Sequence, residues 1–529
     1  MQRHVYRCKK KRGFCIMSRF SRLFILIVLS LLLSSVSAVF AQDARPGLVV
    51  AVQGLPPTLE PIRENSNVMD RIRWSLYGTL FELDAATFQV IPGLAESWTL
   101  VDDTTLEVKL RDGVLFHNGD PLDAEDVAFT FGPERAFNED MPGYGNATQF
   151  FGTIASVEVV DALTVRFITS QPDPLLVQRL TTQVSGIVNK VAYDEAGDYD
   201  AFSRLGIGTG PYRVVEFVTD DVLRLEAFDE YYGGTPELGT LTFQVIPEVS
   251  TRVAGLISGD FGIATDLTPD QFSIIASTDD VSIVGGPIRN NRVILYNESD
   301  PVLANATLRL AMNYAIDRQL IVDTLFEGRT TVPQGNQFPE FGDMFIEDWQ
   351  GQGYDLEKAK ELVTESGYAG EEIVYRTQAG YYPFQGEIAE TMGQMWNEAG
   401  INVTVQIMEN WDQVLAPEGL QIFDYSTSMY YPDPVGHLWR LWGTKGYFQA
   451  NAVFINDEFN AMGAILETST DLTERRTAFR RMLAIYQNED PSGTYIHQMT
   501  IFYGVRGEVA WSPDFAEYMD LRPGKISVQ

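Results

Sequence analysis

Cysteine is almost missing from this chain: its 529 residues hold two, Cys8 and Cys15. Both lie ahead of the point at which an export signal would be cut away. What remains then has no disulfide, no thiol nucleophile and no cysteine metal site. It also has no cysteine at the cut to carry a lipid anchor. Histidine is scarce too, at four positions: His4, His117, His437 and His497. Neither an HExxH pair nor a GxSxG elbow occurs, so zinc-peptidase and serine-hydrolase chemistries lack their residues. Basic charge is short, with 39 Lys+Arg against 72 Asp+Glu. The first 41 residues take eight of the basic residues and none of the acidic ones, which leaves −41 on the rest. A surface so acidic repels phosphate backbones and anionic lipid, so no nucleic acid or membrane partner is expected. Its other meaning is solubility. Carboxylates are so abundant that no glycosidase pair stands out. No enzymatic activity is expected on these grounds.

What is there begins with a leader. Arg19 and Arg22 precede the apolar run 23–33, and small residues fill 34–41, the anatomy of an export signal. The run is short for a membrane span, which needs ~20 apolar residues. Val39 and Ala41 fit the −3 and −1 positions, so residues 1–41 read as the signal. Met17 opens a compact signal of its own and is the alternative start. A soluble protein of the periplasm is expected, with the medium as the alternative. The remainder is long enough for two or three cores, and the chain is 45% apolar and 12% aromatic.

The chain shows an α/β rhythm. Residues 47–52 (GLVVAV) suit one buried strand. Pro56, Pro57 and Pro61 then forbid a regular helix, and the spacing of Val68, Ile72, Leu76 and Leu80 predicts a helix over 67–83. Residues 91–127 read as strand, turn, strand, turn and capped helix, with Asp102-Asp103 in the hairpin turn and Asp120 and Asp123 as caps. A Gly/Pro/Asn patch at 141–146 predicts a loop, and a second hairpin turns at Asp161-Ala162. The glycines of 206–210 mimic a nucleotide loop, but Pro211 and the strand after it replace the helix such a loop needs. No cofactor is expected. A strand at 241–246, a helix at 249–259 and a strand at 261–264 follow. One stripe through Leu308, Met312, Ala315, Gln319 and Val322 predicts a single helix closed by Gly328. Asp355 caps a helix ending at Gly367, 385–399 is a helix, and 401–407 alternates as a strand. A capped helix starts at Asp471, and 494–505 is an aromatic strand.

Several of these stretches carry a resemblance. PGLAESW at 92–98 with LRDGVLFHNGDPLDAEDV at 110–127 resembles the signature of family 5 extracellular solute-binding proteins, the dipeptide, oligopeptide and nickel receptors of ABC importers. PPTLEP, GTGPYRV, LRLAMNYAIDRQLIVDTLFEG and MYYPDP are similar to family segments and fall in family order. The resemblance implies an α/β, two-lobed fold of the type II periplasmic-binding-protein kind, with a small α+β subdomain inserted in the first lobe. It places lobe I at 42–80, 204–293 and 504–529, the insertion at 81–203, and lobe II at 294–503. It implies hinge closure on a solute, at joints near 292–297 and 501–505, and delivery to permease and ATPase subunits. A monomer is expected.

Ligand residues are sought where aromatic walls meet a few polar groups. Aromatics gather at Tyr381-Tyr382, at Trp411 and around Met429-Tyr430-Tyr431, with His437, Trp439 and Trp442 beyond. By resemblance, Trp411 walls the cavity. Tyr430 occupies the position where the family's aspartate pairs with a peptide ammonium. A neutral phenol supplies no such charge, so a peptide needs another carboxylate, and a sugar-containing or opine-like solute becomes the alternative. Asn291 and Arg292 fall where the first lobe offers polar groups, and Arg292 suits an anionic ligand. Gln53, Met429 and Tyr431 complete the candidate set. Asp433 reads as a turn residue. His117 beside Asn118-Gly119-Asp120 suggests a metal turn, but one histidine and a carboxylate are more often a capped loop. No metal site is expected, and nickel is the weaker ligand choice.

Overall fold

The structure, a computed structural model, describes residues 45–513 and 518–529. The expected signal, its cleavage site and the start at Met17 lie outside the described residues. Strand β1 (Gly47–Val52) leads through the proline-rich turn to helix α1 (Asn67–Leu76). Ser66 caps α1 by accepting the Met69 N–H at 3.3 Å, and Val68, Ile72 and Leu76 bury its apolar face. Next comes a small antiparallel sheet of β2 (Ala95–Asp102), β3 (Thr105–Leu110), β4 (Ile154–Asp161) and β5 (Thr164–Thr169), in the order β2-β3-β5-β4. It covers its own core, in which Phe116, Phe131, Phe151 and Phe167 are fully or almost fully buried.

Beside two two-stranded ribbons, Phe81–Leu83 with Val90–Pro92 and Val509–Ala510 with Ser527–Val528, nine further strands join β1 in one mixed sheet. They are β6 (Tyr212–Val218), β7 (Val222–Ala227), β8 (Thr240–Val245), β9 (Ile263–Ala264), β10 (Val281–Tyr296), β11 (Ile373–Gln378), β12 (Val403–Met408), β13 (Ile422–Ser428) and β14 (Gly493–Arg506). The ten strands run in the order β12-β11-β13-β10-β14-β9-β1-β8-β7-β6. Only β10 and β14 are long enough to serve both lobes. Residues 281–287 of β10 pair with 500–506, and 291–295 pair with 493–498. Between Pro287 and Asn291 the register slips. Proline withholds a ladder donor and a bulge bends its strand, so the pair bends there. A second slip falls between Arg292 and Val293, within the expected joint at 292–297, whereas 501–505 pairs in regular register with 282–286.

Local predictions fail where tertiary contacts intervene. The helix expected over 67–83 stops at Leu76. Tyr77 is extended, and its buried phenol donates to the Leu59 carbonyl at 3.0 Å. The 206–210 glycines explain the stop: Gly210 N–H donates to Leu76 O at 2.9 Å, closing the helix end. A Cβ on Gly208 or Gly210 would lie 2.2 Å or 2.6 Å from the Leu76 backbone, so these glycines serve close approach. The single helix expected through 308–322 is two, Ala306–Tyr314 and Arg318–Leu325. Buried Arg318 turns back to the Asn313 and Ile316 carbonyls, at 3.2 Å each, and Asp317 caps the second helix. A helix, Tyr144–Phe151, begins inside the expected 141–146 loop. Asp123 caps the helix Ala124–Thr130, whereas Asp120 instead accepts from Asn118 at 2.7 Å.

Candidate functional site: an aromatic cleft between the lobes

A cavity of about 1210 Å³ opens where the lobes meet. The first lobe contributes the turn after β1, the start of α1 and the segments around Arg252 and Asp266. The second contributes the Gln378–Gln385 turn that follows β11, the short helix Trp411–Val414, the end of β13 and Arg440. These are loops and element ends on rigid strands, where a fold can present polar groups without breaking its ladders.

The second-lobe wall is aromatic. Trp411 stands edge-on to Tyr381 and Tyr382, with ring centroids 5.3 and 5.9 Å apart. Asn410 fixes the Trp411 backbone by capping its helix, accepting the Gln413 N–H at 3.0 Å. Tyr382 lies on the Arg292 guanidinium at 4.0 Å and donates to Ser426 at 3.1 Å. Arg292 in turn pairs with Asp424 at 2.7 Å, both fully buried. The hydroxyls of Tyr375 and Thr377 and the Gln385 amide, at 2.8 Å, converge on the same carboxylate. Burial opposes the Arg292 charge, but Asp424, Tyr382 and Tyr375 together outweigh it and hold the guanidinium above its usual range.

Contacts cross the cleft. The Tyr430 hydroxyl reaches Asn65 at 2.5 Å and Asp70 at 3.4 Å. The Asn67 N–H donates to the Tyr381 hydroxyl at 3.2 Å. Arg179 of the inserted subdomain pairs with Glu467 of the second lobe at 2.6 Å. Behind Tyr430, Arg440 stacks on its ring at 4.7 Å and on Phe150 at 5.0 Å. Asp70 pairs with Arg73 at 2.8 Å, and burial raises its pKa.

The structure brings three expected residues, Gln53, Trp411 and Tyr430, to the cavity wall. Four others are placed elsewhere. Arg292 lies beneath Tyr382, held by Asp424 and by the Tyr425 carbonyl at 2.8 Å. Asn291 is fully buried on β10 and donates to Asn336 at 3.3 Å. Met429 and Tyr431 flank Tyr430 and sit in the second-lobe core. Trp439 and Trp442 join that core, and buried His437 packs against its Phe338 and Phe341 rings, with centroids 4.9 and 5.9 Å away. Asp433 caps the turn Pro434–Gly436 and pairs with Arg475 at 2.8 Å. His117 is buried against the carbonyls of Gly206 and Gly210, at 3.3 and 3.1 Å, and burial pushes its pKa down to about 4. Among the described residues no group of three or more His, Cys, Asp and Glu could hold a metal ion.

Sequence reasoning missed Glu64, Tyr425 and Arg440, which also line the cavity. Glu64 had a readable signal: RENSN falls between a proline turn and a Ser-capped helix. Arg440 had none, since it sits in the apolar stretch HLWRLW that reads as core, and Tyr425 lies in a polar-flanked strand segment with no motif around it.

Comparison with known proteins agrees with this geometry. The model of the bacterial extracellular solute-binding proteins, family 5, middle region, matches residues 89–449. The chain is 28% identical over 392 residues to the dipeptide-binding protein of Escherichia coli (strain K12), covering 70% of this chain and 72% of that protein. It is 28% identical over 401 residues to the glutathione-binding protein GsiB of Salmonella paratyphi A, covering 75% and 77%. The crystal structure of a dipeptide-binding protein from Pseudoalteromonas sp. SM9913 in complex with Met-Leu superposes with a TM-score of 0.84 at 21% identity, covering 91% of this chain and 100% of that one. The fold is thus the two-lobed one that the resemblance implied, with its small α+β insertion. Members of the family bind small solutes and work with ABC permease and ATPase subunits. This chain belongs to family 5 of the bacterial extracellular solute-binding proteins and is the substrate-binding component of an ABC importer.

Proposed function

We propose that the chain captures a small peptide or peptide-like solute by closing its two lobes. It would then pass the solute, as an exported periplasmic monomer, to a membrane permease, and would catalyse no reaction. The observation that carries this reading is the cavity itself. Its size, about 1210 Å³, exceeds a single amino acid, and both lobes wall it. A solute touching both walls binds the closed form better than the open one, and that difference drives closure. The bend at 287–291 of β10 is the proposed hinge, with the lobes otherwise bounded as the sequence suggests. The dipeptide- and glutathione-binding relatives favour a peptide-like ligand. Tyr430, a neutral phenol tied to Asn65 at 2.5 Å, favours the alternative, a sugar-containing or opine-like solute.

Native mass spectrometry of protein purified gently from its own host tests the ligand class. A retained mass that fragments to amino acids supports the first reading, and a sugar or opine mass supports the second. Small-angle scattering tests closure: the radius of gyration should fall on saturation, and an unchanged radius would remove the hinge.

A further inference from the structure

Eight Asp and Glu side chains line the cavity against two arginines. Arg252 is committed, donating to the carbonyls of Thr265, Ile246, Pro247 and Asp266 at 2.7–3.1 Å. Arg440 is committed to the rings of Tyr430 and Phe150. Asp266, among the acids, is answered by Arg71 at 2.8 Å. Glu64 makes no ion pair among the described residues: the Ser66 hydroxyl meets its carboxylate, and Arg73 and Arg63 act on it only from beyond ion-pair distance.

Its position is nevertheless fixed. The Glu64 N–H donates to the Glu60 carbonyl at 3.3 Å, and the Glu64 carbonyl accepts from Arg73. Two cavity tyrosines of the opposite lobe, Tyr381 and Tyr425, lie close enough for the Glu64 charge to disfavour their ionisation. Trp411 backs Tyr381. A carboxylate that shares a cavity wall with aromatic rings and has no cation at ion-pair distance is a costly arrangement in an empty cleft. It becomes favourable when an ammonium arrives, because the carboxylate supplies the charge and the ring faces supply cation–π attraction.

We infer that Glu64 is the ligand-ammonium anchor of this receptor, so that the solute carries a free cationic amine placed between Glu64 and the Tyr381–Trp411–Tyr425 wall. The inference rests on the solute-receptor reading above and names the group that stands in for the charge Tyr430 cannot give. Burial raises the Glu64 pKa, Arg73 and Arg63 lower it, and Asp70 raises it. A bound ammonium favours the ionised form, so affinity should fall on acidification through that raised range.

The test uses a panel of Ala-X dipeptides, the same panel N-acetylated, and calorimetry on wild type and Glu64→Gln. The free panel should bind the wild type, acetylation should cost at least about tenfold, and Glu64→Gln should lose about the same factor for free peptides alone. Equal binding of free and acetylated forms, or unchanged affinity in Glu64→Gln, overturns the inference. The melting temperature of the empty variant should be no lower than wild type, because burial outweighs what Ser66, Arg73 and Arg63 return to the charge that the change removes. As a second measure independent of the variant's folding, wild-type affinity should fall with pH for the free peptides and not for the acetylated ones; parallel profiles overturn the assignment. If neither panel binds the wild type, the peptide reading fails by itself. Glucosamine and other non-peptide amines against their N-acetyl forms then test Glu64 by the same two outcomes.

Discussion

Two charged regions of this protein lie near the same aromatic wall and are treated in opposite ways. Beneath Tyr382, Arg292 and Asp424 are buried together, and three further side chains complete the hydrogen bonding of the carboxylate. At the cleft surface, Glu64 has the Ser66 hydroxyl and no cation at ion-pair distance. The first arrangement completes the interior: once buried, each charge requires the other. The second is incomplete as it stands, and only a visitor can finish it. Saturated polar groups here mark what the fold needs, and an unsaturated one marks what it is for.

Acid should break the interior side of this comparison most strongly. Burial pushes His117 down to about 4, His437 to about 3 and His497 to about 4. These values lie below the unfolded one, so the unfolded chain takes up the protons first. The stability they contribute is complete above about pH 6.5 and is lost as pH falls toward 4. Each should cost about 2 kcal/mol at pH 5, which urea titrations at pH 7 and 5 would measure. Asp424→Ala comes next. It strands the Arg292 charge in the core, and a loss of about 3–5 kcal/mol is expected in the same assay. A loss below about 1 kcal/mol would show that water reaches Arg292.

The cleft side gives smaller numbers, read in binding. Trp411→Ala should weaken solute affinity by about 2 kcal/mol, since it removes a ring from the wall, while the empty protein loses less. Calorimetry separates the two. Tyr430→Phe deletes the bond to Asn65 across the cleft and should shift the open–closed balance by about 1 kcal/mol. Scattering of the empty protein should then report a larger radius than wild type. An unchanged radius would mean that Tyr430 belongs with the interior groups.

Much of this was legible beforehand because it is local. Asp123, Asp355 and Asp471 each cap the helix that follows, since a side chain two or three residues away does the work. Trp411 and Tyr430 stood out through their surroundings in the sequence. Arg292 misled, because an arginine at a lobe junction looks alike whether it faces a solute or an aspartate 132 positions later.

The sequence by itself determined the elements, the family and the acidity of the chain, because caps, alternation and charge act over a few residues or over the whole surface. The tertiary structure decided which charges are spent. Gly208 and Gly210 end a helix they never join, Asp424 answers Arg292 from a neighbouring strand, and Glu64 meets Tyr381 and Tyr425 only because two lobes face each other across a cleft. Whether a buried charge is satisfied depends on groups far away in the chain, and only the folded chain brings them within reach.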